Sequence, residues 1–152
     1  MAINEALFSS ASCEWTTPQD FFDKWDAKYH FDLDCCATVE NAKCPRYFTK
    51  EDDAFKHKWT GRVWMNPPYG KEIGKWMQKA YESVRSGDAE VVVCLVPSRT
   101  DTRWFHEYAM KGTIDFIRGR LKFGGVATPH RSHQPLLCLK AKKKEMQSYE
   151  AY

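Results

Sequence analysis

Positions 62–70 carry the sequence RVWMNPPYG, in which a short apolar run is followed by two consecutive prolines. The apolar run is typical of a buried strand. The prolines end that strand, because each fixes its own φ and lacks an N–H group to donate. Over 72–86 the apolar residues return at helical spacing, and Gly87 follows as a helix terminator. This part of the chain therefore predicts a strand, a rigid turn and an amphipathic helix.

The same alternation of strands and helices extends in both directions from this turn. Upstream, a helix is predicted to begin with Thr17 as its N-cap and Pro18 at its first helical position. The other predicted elements are a strand over 30–36, an irregular segment over 37–61, a strand over 90–96, a helix over 102–111, and a final pair of strands over 113–118 and 135–140. Strands separated by helical crossovers favour an α/β fold with a mostly parallel sheet and an antiparallel terminal strand.

The composition is that of one globular domain. The chain has 152 residues, of which 43% are hydrophobic and 28% are charged. We expect a folded domain over 13–141, a flexible arm over 1–12 and a polar tail over 142–152. The six cysteines lack the spacing of a zinc site, and neither a signal peptide nor a long apolar stretch is visible. These features predict a cytoplasmic protein that neither spans a membrane nor binds a metal.

The positive charge of the chain is unevenly distributed. A net charge of +3 is too small to identify a nucleic-acid partner by itself. The segment 118–144, however, contains no Asp or Glu. Its basic residues are Arg118, Arg120, Lys122, Arg131, Lys140, Lys142, Lys143 and Lys144. Two interpretations are open for this segment: a solvated surface, or contact with phosphates.

The turn at 66–69 carries groups that suit the chemistry of amines. Its prolines withhold two N–H groups, so the carbonyls of the turn can face a ligand. The side-chain oxygen of Asn66 and the carbonyl of Pro67 can accept both hydrogens of an exocyclic amino group, and Tyr69 can stack on a planar base. An aryl amine is a poor nucleophile, and such acceptors offset the positive charge that develops on its nitrogen during attack. The alternative is a rigid strand-to-helix turn without chemistry.

Short segments spread between 15 and 125 form one ordered pattern. They are WTTP (15–18), FDLDCCA (31–37), NAKC (41–44), VWMNPPYG (63–70), PSRTDT (97–102) and IRGRLKFGG (117–125). The NPPY tetrapeptide is similar to the catalytic motif of amino-methyltransferases, which act on adenine and, less often, on glutamine or guanine. Together the segments resemble the phage-type DNA N6-adenine methyltransferase (Dam) family of bacteriophages and prophages.

This resemblance implies a single Rossmann-like methyltransferase domain that uses S-adenosyl-L-methionine as its cofactor. The catalytic positions would be Asn66, Pro67, Pro68 and Tyr69. Thr17 and Pro18 resemble an element that lies against the methionine end of the cofactor in many adenine methyltransferases. Asp34 occupies the place of the acidic residue in the first cofactor motif, where a carboxylate can hold the cofactor's ammonium group. The full set of expected cofactor-binding positions is Thr17, Pro18, Asp32, Asp34, Cys36, Ala37, Asp52 and Asp53.

The chain departs from the usual methyltransferase pattern directly after Asp34. Glycines that would let the backbone approach the cofactor are replaced by the sequence CCAT at 35–38. Only about thirty residues separate Asp34 from Asn66, fewer than two further strand–helix units would need. We therefore expect the sheet to be abbreviated on this side. Either Asp52 or Asp53 is expected to hold the ribose hydroxyls of the cofactor.

The implied activity is methyl transfer to the N6 amino group of adenine in DNA. The nucleotide would have to be flipped out, because a paired amino group cannot reach a pocket beyond the sheet. The residues expected at the base or the DNA are Arg99, Arg118, Arg120, Lys122 and Phe123. Two other functions stay open from the sequence. One is an amino-methyltransferase that acts on RNA adenine or protein glutamine, and the other is a nucleic-acid-binding module without activity.

Overall fold

The computed structural model describes residues 16–119, Leu121, and the backbone of 135–141. The predicted arm over 1–12 and the predicted tail over 142–152 lie outside the described residues. The same holds for Arg120, Lys122 and Phe123, which we expect at the DNA. All described helices and strands fall within 13–141, the range predicted for the folded domain.

Helices and strands alternate along the described chain. The helices are α1 (Gln19–Tyr29), α2 (Ile73–Arg85) and α3 (Arg103–Glu107). The strands are β1 (Leu33–Asp34), β2 (Arg46–Tyr47), β3 (Gly61–Met65), β4 (Ala89–Pro97), β5 (Thr113–Phe116) and β6 (Pro135–Ala141). Single turns of 3₁₀ helix cover Ala54–Lys56 and Ala109–Lys111. The predicted α/β order is thus confirmed.

The strands form one six-stranded sheet in the order β2-β1-β3-β4-β6-β5. The first four strands in this order are parallel, whereas β6 is antiparallel to both of its neighbours. This confirms the prediction of a mostly parallel sheet in which the last strand of the chain, β6, is antiparallel. Because parallel strands point the same way, the residues that follow β1, β2, β3 and β4 lie along one edge of the sheet.

The two faces of the sheet are covered by different helices. Successive residues of a strand point to opposite faces, and both faces of β3 and β4 are buried. One face packs on α2 through a cluster that includes Met65, Val92, Cys94 and Val96 with Ile73, Met77 and Ala80. The other packs on α1 through Trp64, Val91, Val93 and Leu95 with Phe22, Tyr29 and Phe31. A continuous apolar run was the expected signature of such a central strand.

Two predictions about the segment before β3 were wrong. The helix begins at Gln19 and not at Pro18, because the N-cap is Pro18 and not Thr17, whose hydroxyl is bonded elsewhere. The strand predicted over 30–36 contains only Leu33–Asp34 as regular strand, since His30 has a left-handed backbone (φ 53°) that ends α1. Alternation of polar and apolar residues alone does not distinguish a strand from such a helix-ending turn.

The segment predicted to be irregular, 37–61, contains two short elements. Strand β2 has two residues and pairs in parallel with β1, with Leu33 opposite Arg46. The 3₁₀ turn Ala54–Lys56 follows it. Neither is long enough to show a hydrophobic period, so only pairing and packing reveal them. In the described residues, no helix has both the length and the apolar character required to cross a membrane.

Candidate active site

A cavity of about 1060 Å³ opens at the carboxyl edge of the parallel strands. Its walls are the segments that follow β1 and β2, together with Pro68 after β3 and the exposed flank of α2 around Trp76 and Lys79. This is where an open parallel sheet is expected to bind its ligand. The volume is at the upper end of the range for small-molecule pockets.

The NPPY turn lies at the rim of this cavity. Pro68 contributes to the wall, while Pro67 is buried and Asn66 is half-buried at the end of β3. The side-chain nitrogen Nδ2 of Asn66 donates a hydrogen bond to the Oγ1 atom of Thr17 at 3.0 Å. This bond joins two positions, 49 residues apart in the chain, that the sequence had placed in one site.

Tyr69 is held against the core rather than in open solvent. Its hydroxyl donates to the backbone carbonyl of Leu95 on β4, with 3.4 Å between the oxygens. Burial raises the pKa of this phenol well above its usual range, so it stays protonated at neutral pH. The ring is therefore anchored between the ends of β3 and β4, beside Asn66.

Asp34 is buried beneath the loop that follows β1. Its carboxylate accepts the N–H group of Cys36 at 3.2 Å and that of Lys43 at 3.1 Å. Burial raises the pKa of this carboxyl to about 6, although the two hydrogen bonds and the charge of Lys43 act in the opposite direction. With 2% of its surface exposed, Asp34 is not among the described residues that line the cavity. Through these two hydrogen bonds, Asp34 stabilises the conformation of the loop from Cys36 to Lys43.

That loop forms part of the cavity wall. Cys36 and Ala37 both line the cavity, and the N–H group of Ala37 donates to the carbonyl of Phe48 at 3.0 Å. Further along, Thr38 and Asn41 bond reciprocally, each side chain accepting the backbone N–H of the other at 3.2 and 2.7 Å. Such local bonds rigidify a turn without glycine. The loop can therefore keep its shape although the sequence CCAT replaces the expected glycines.

The three other candidate aspartates are in different environments. Asp32 accepts the N–H of Arg62 at the amino end of β3, where it also lies against the glycine that begins this strand. Asp52 is exposed and accepts both the N–H and the hydroxyl of Thr49, which lowers its carboxyl pKa. Of the three, as far as the described residues define the cavity, only Asp53 lines it.

Asp53 has an unusual backbone. Its φ of 54° is in the left-handed region, which is uncommon for a residue other than glycine, although Asp and Asn tolerate it best. The side chain accepts the N–H of Phe55 at 3.1 Å and so begins the 3₁₀ turn. This geometry directs the segment 53–55 toward the cavity.

Several aromatic residues of the cavity were missed by sequence reasoning. Phe48 lies after β2 and stacks on the ring of His57 at 4.7 Å between centroids. Phe55 is 4.6 Å from Trp76, with the two rings inclined by 51°. Trp76 is packed against the core and also lines the cavity. Phe48 is placed at the cavity by strand β2, which directly precedes it. With only two residues, β2 has no sequence pattern from which it could be predicted.

The described DNA-contact candidates lie outside the cavity wall. Arg99 is exposed just after β4, on the same edge of the sheet as Asn66. Its backbone closes a turn in which Thr102 donates to the Arg99 carbonyl through both its N–H and its hydroxyl, at 3.1 and 2.6 Å. Arg118 is exposed beyond β5. The structure thus separates these cations from the cavity.

Comparison with known proteins agrees with the resemblance stated above. The family model described as DNA N-6-adenine-methyltransferase (Dam) matches residues 6–148. A DNA N-6-adenine-methyltransferase of Escherichia phage T1 is 31% identical over 132 residues, which cover 69% of this chain and 54% of that protein. The putative methyltransferase YfdM of Escherichia coli strain K12 is 36% identical over 66 residues, covering 37% of this chain and 70% of that protein.

The two main matches cover different shares of the proteins compared. The chain spans about half the length of the phage T1 protein, as 54% of that protein is covered. The family model, by contrast, covers nearly the whole of this chain and includes the Thr17–Pro18 element, the NPPY turn and every residue found in the cavity wall. The chain therefore belongs to the DNA N-6-adenine-methyltransferase (Dam) family.

Proposed function

We propose that this chain transfers a methyl group from S-adenosylmethionine to the N6 amino group of adenine in DNA. The observation that carries the proposal is the position of the NPPY turn. Pro68 forms part of the cavity wall, and Asn66 on the same turn is fixed through its side chain. A methyl donor in the cavity and an amine held at Asn66 would be on neighbouring sides of one rigid turn.

The fold is consistent with an abbreviated Rossmann-like methyltransferase domain. Parallel strands with helices on both faces and a crevice beyond the carboxyl edge are the features of that class. In the part of the chain that the structure describes, only β1 and β2 lie beyond β3 on one side of the sheet, and each has two residues. We infer that the domain is shortened on this side, as the short interval between Asp34 and Asn66 predicts.

The chemistry of the cavity wall fits S-adenosylmethionine. Phe48 and Phe55 offer apolar ring faces for an adenine, and Asp53 offers a carboxylate for hydroxyl groups. Lys50 and Glu40, also in the wall, have charges that suit the carboxylate and ammonium ends of an amino acid. When bound, the cofactor supplies a methyl group activated by its sulfonium. Thr17 and Pro18 would lie at the end of the site nearest the transferred group.

The residues of the turn then act on the acceptor amine. The Asn66 side-chain oxygen and the Pro67 carbonyl would each accept one N–H hydrogen, which localises the nitrogen lone pair and stabilises the developing positive charge. The anchored ring of Tyr69 would hold the base plane beside these acceptors. Placing the nitrogen in line for attack supplies much of the remaining reduction of the barrier.

DNA is the substrate that this proposal favours over RNA or protein. Its support is the family to which the chain belongs, together with the exposed cations, of which Arg99 and Arg118 are described. A flipped adenine would enter past the carboxyl edge of the sheet, and Arg118, Arg120 and Lys122 would contact the phosphates. Such an enzyme would act in the cytoplasm of a bacterial host, where the DNA is.

The proposal is tested by offering several acceptors side by side. The purified chain is incubated with S-adenosylmethionine labelled in its methyl group and with duplex DNA, RNA or a protein mixture. We expect label in N6-methyladenine after digestion of the DNA to nucleosides, and none with Asn66→Ala. Label in RNA or protein but not DNA would replace the proposed substrate. Failure to bind the cofactor in calorimetry would instead favour a nucleic-acid-binding module without activity.

A further inference from the structure

The hydrogen bond between Thr17 and Asn66 connects the start of α1 with the turn that follows β3. Thr17 precedes α1 and is 2% exposed, so its hydroxyl is shielded from water. Asn66 follows β3, and the Nδ2 to Oγ1 distance is 3.0 Å. A hydrogen bond of this length between a buried hydroxyl and a half-buried amide restricts both rotamers.

Packing of α1 keeps this contact in place. Phe22, one turn into the helix, lies edge-on to the ring of Trp64 with 5.2 Å between centroids. Trp64 is on β3, two residues before Asn66, and both rings are buried. The start of α1 and the end of β3 are thus held together by an aromatic contact as well as by the hydrogen bond.

The orientation of the Asn66 amide decides whether the turn can accept a hydrogen bond from an amine. A primary amide has a donor end and an acceptor end, and a rotation of half a turn exchanges them. A Thr hydroxyl can accept from Nδ2 or donate to the side-chain oxygen. In this structure it accepts from Nδ2, which places the side-chain oxygen on the other side of the amide group. In the reversed orientation two N–H groups would oppose the N–H groups of the substrate.

We propose that Thr17 is a positioning residue that holds the Asn66 side chain in the rotamer from which it accepts a hydrogen of the amine. The inference rests on the proposed function, and it goes beyond the role of Thr17 at the cofactor that the family resemblance implies. Thr17 does not contact the reacting atoms in this account. It acts through Asn66, so its loss should lower turnover and leave the affinity for cofactor unchanged.

The test compares two substitutions at Thr17. Thr17→Val keeps the shape and removes the hydroxyl, whereas Thr17→Ser keeps the hydroxyl and removes a methyl group. We expect Thr17→Val to lower kcat by about tenfold or more, less than removal of the Asn66 acceptor itself. Its KM and Kd for S-adenosylmethionine should stay within about twofold, because a group acting only in the transition state does not alter ground-state binding. Thr17→Ser should keep most of the turnover.

Ser83→Ala provides a matched control. Ser83 is buried on α2, and its hydroxyl donates to the Lys79 carbonyl at 2.7 Å. This substitution also removes one buried hydroxyl, at a position facing the core, so it reports a general loss of stability. Unchanged kcat in Thr17→Val would overturn the proposal. A raised Kd for the cofactor with unchanged kcat would assign Thr17 to the cofactor instead, and equal losses in Thr17→Val and Thr17→Ser would assign its effect to packing.

A measurement without turnover separates this inference from the proposed function. In the ¹⁵N-labelled wild-type chain, the Nδ2 hydrogens of Asn66 should exchange with water more slowly than those of a free amide. If both exchange as in a free amide, the positioning role is excluded, even when Thr17→Val fails to fold. If they are protected but no acceptor is methylated, the proposed function fails while the contact stands.

Discussion

At Asn66 the backbone is set by the end of β3 and by the two prolines that follow, while the side chain is bonded to Thr17 at 3.0 Å. The residue is half-buried and not part of either core cluster. We therefore expect its replacement to leave both core clusters intact. This separation makes substitution at Asn66 informative about catalysis.

We expect Asn66→Ala to lower turnover at least about a hundredfold, corresponding to about 3 kcal/mol of lost transition-state stabilisation. The thermal midpoint and the Kd for S-adenosylmethionine should stay near wild type. Asn66→Asp is the matched control, because it keeps acceptor oxygens in the same place and should lose less activity. Steady-state kinetics on duplex DNA measure both variants. Turnover near wild type in Asn66→Ala would remove this residue from the catalytic set.

The buried carboxyl of Asp34 links protonation to folding. Its pKa is raised from 3.8 to about 6 by burial, so the folded chain holds the proton more firmly than the unfolded chain. Between the two values the unfolded carboxyl is ionised while the folded one is still largely protonated. The contribution of Asp34 to the free energy of unfolding therefore falls as pH rises through this window and is constant above it.

Asp34→Asn should remove this dependence. We expect the free energy of unfolding of wild type, relative to that of Asp34→Asn, to fall between about pH 4 and 6 by up to about 3 kcal/mol. Urea denaturation at several pH values measures the difference. Asp52→Asn is the control, since an exposed carboxyl with a lowered pKa gives a dependence of opposite sign. If the Asp34 difference is flat or rises with pH, its two backbone hydrogen bonds outweigh burial.

At the scale of elements, the segment after β2 supplies much of the cavity wall. It contains Phe48, Asp53 and Phe55, and its shape depends on the left-handed backbone of Asp53 and on the 3₁₀ turn that follows. Asp52, its neighbour in the chain, is turned outward and bonded to Thr49. Asp52 and Asp53 thus have different surroundings. Neutralising one or the other should therefore affect cofactor binding to different extents.

We expect Asp53→Asn to weaken S-adenosylmethionine binding by about tenfold or more, since a hydrogen bond to a charged group contributes about 1.5–3 kcal/mol. Asn keeps an oxygen for the Phe55 N–H and tolerates the left-handed backbone, so the turn should persist. Asp52→Asn should change the Kd by less than about threefold. Calorimetric titration of both variants decides between the two aspartates. Equal effects, or a larger one for Asp52→Asn, would reverse the assignment.

At the scale of the whole molecule, the sheet brings distant segments of the chain to one edge. The NPPY turn, the start of α1, the loop after β1 and the turn containing Arg99 all lie at or near that edge. The strands β5 and β6 are joined by a segment that carries Phe123, whose placement lies outside the described residues. A flipped base needs a second surface opposite Tyr69, and Phe123 is our candidate for it.

We expect Phe123→Ala to reduce methylation of paired adenine more than that of mismatched or single-stranded adenine. Extrusion from a duplex costs a few kcal/mol, and stacking on an aromatic ring returns about 1–3 kcal/mol per base. The loss matters most where extrusion is most costly. Initial rates on the three substrates at equal ionic strength measure this, because phosphate contacts by Arg120 and Lys122 would add a dependence on salt. Equal losses on all three would give Phe123 a structural role.

Local signals in the sequence determined the elements that are long or sharply bounded. The apolar run at 90–96 predicted β4 as a central strand, and the spacing at 72–86 predicted α2, each to within one residue at both ends. The two prolines after Asn66 marked the turn, since their effect on the backbone is local. The ordered motifs predicted the family. These features depend on neighbours in the chain, so they can be read without knowing the fold.

Only the tertiary structure decided which of the candidate residues come together. The two-residue strands β1 and β2 exist because they pair beside β3, and this pairing turns Asp53 and Phe48 into the cavity while Asp34 is buried beneath a loop. The bond from Asn66 to Thr17 likewise depends on α1 packing against Trp64. Contacts between residues distant in sequence depend on burial and strand pairing over the whole domain. A local sequence pattern therefore cannot predict them.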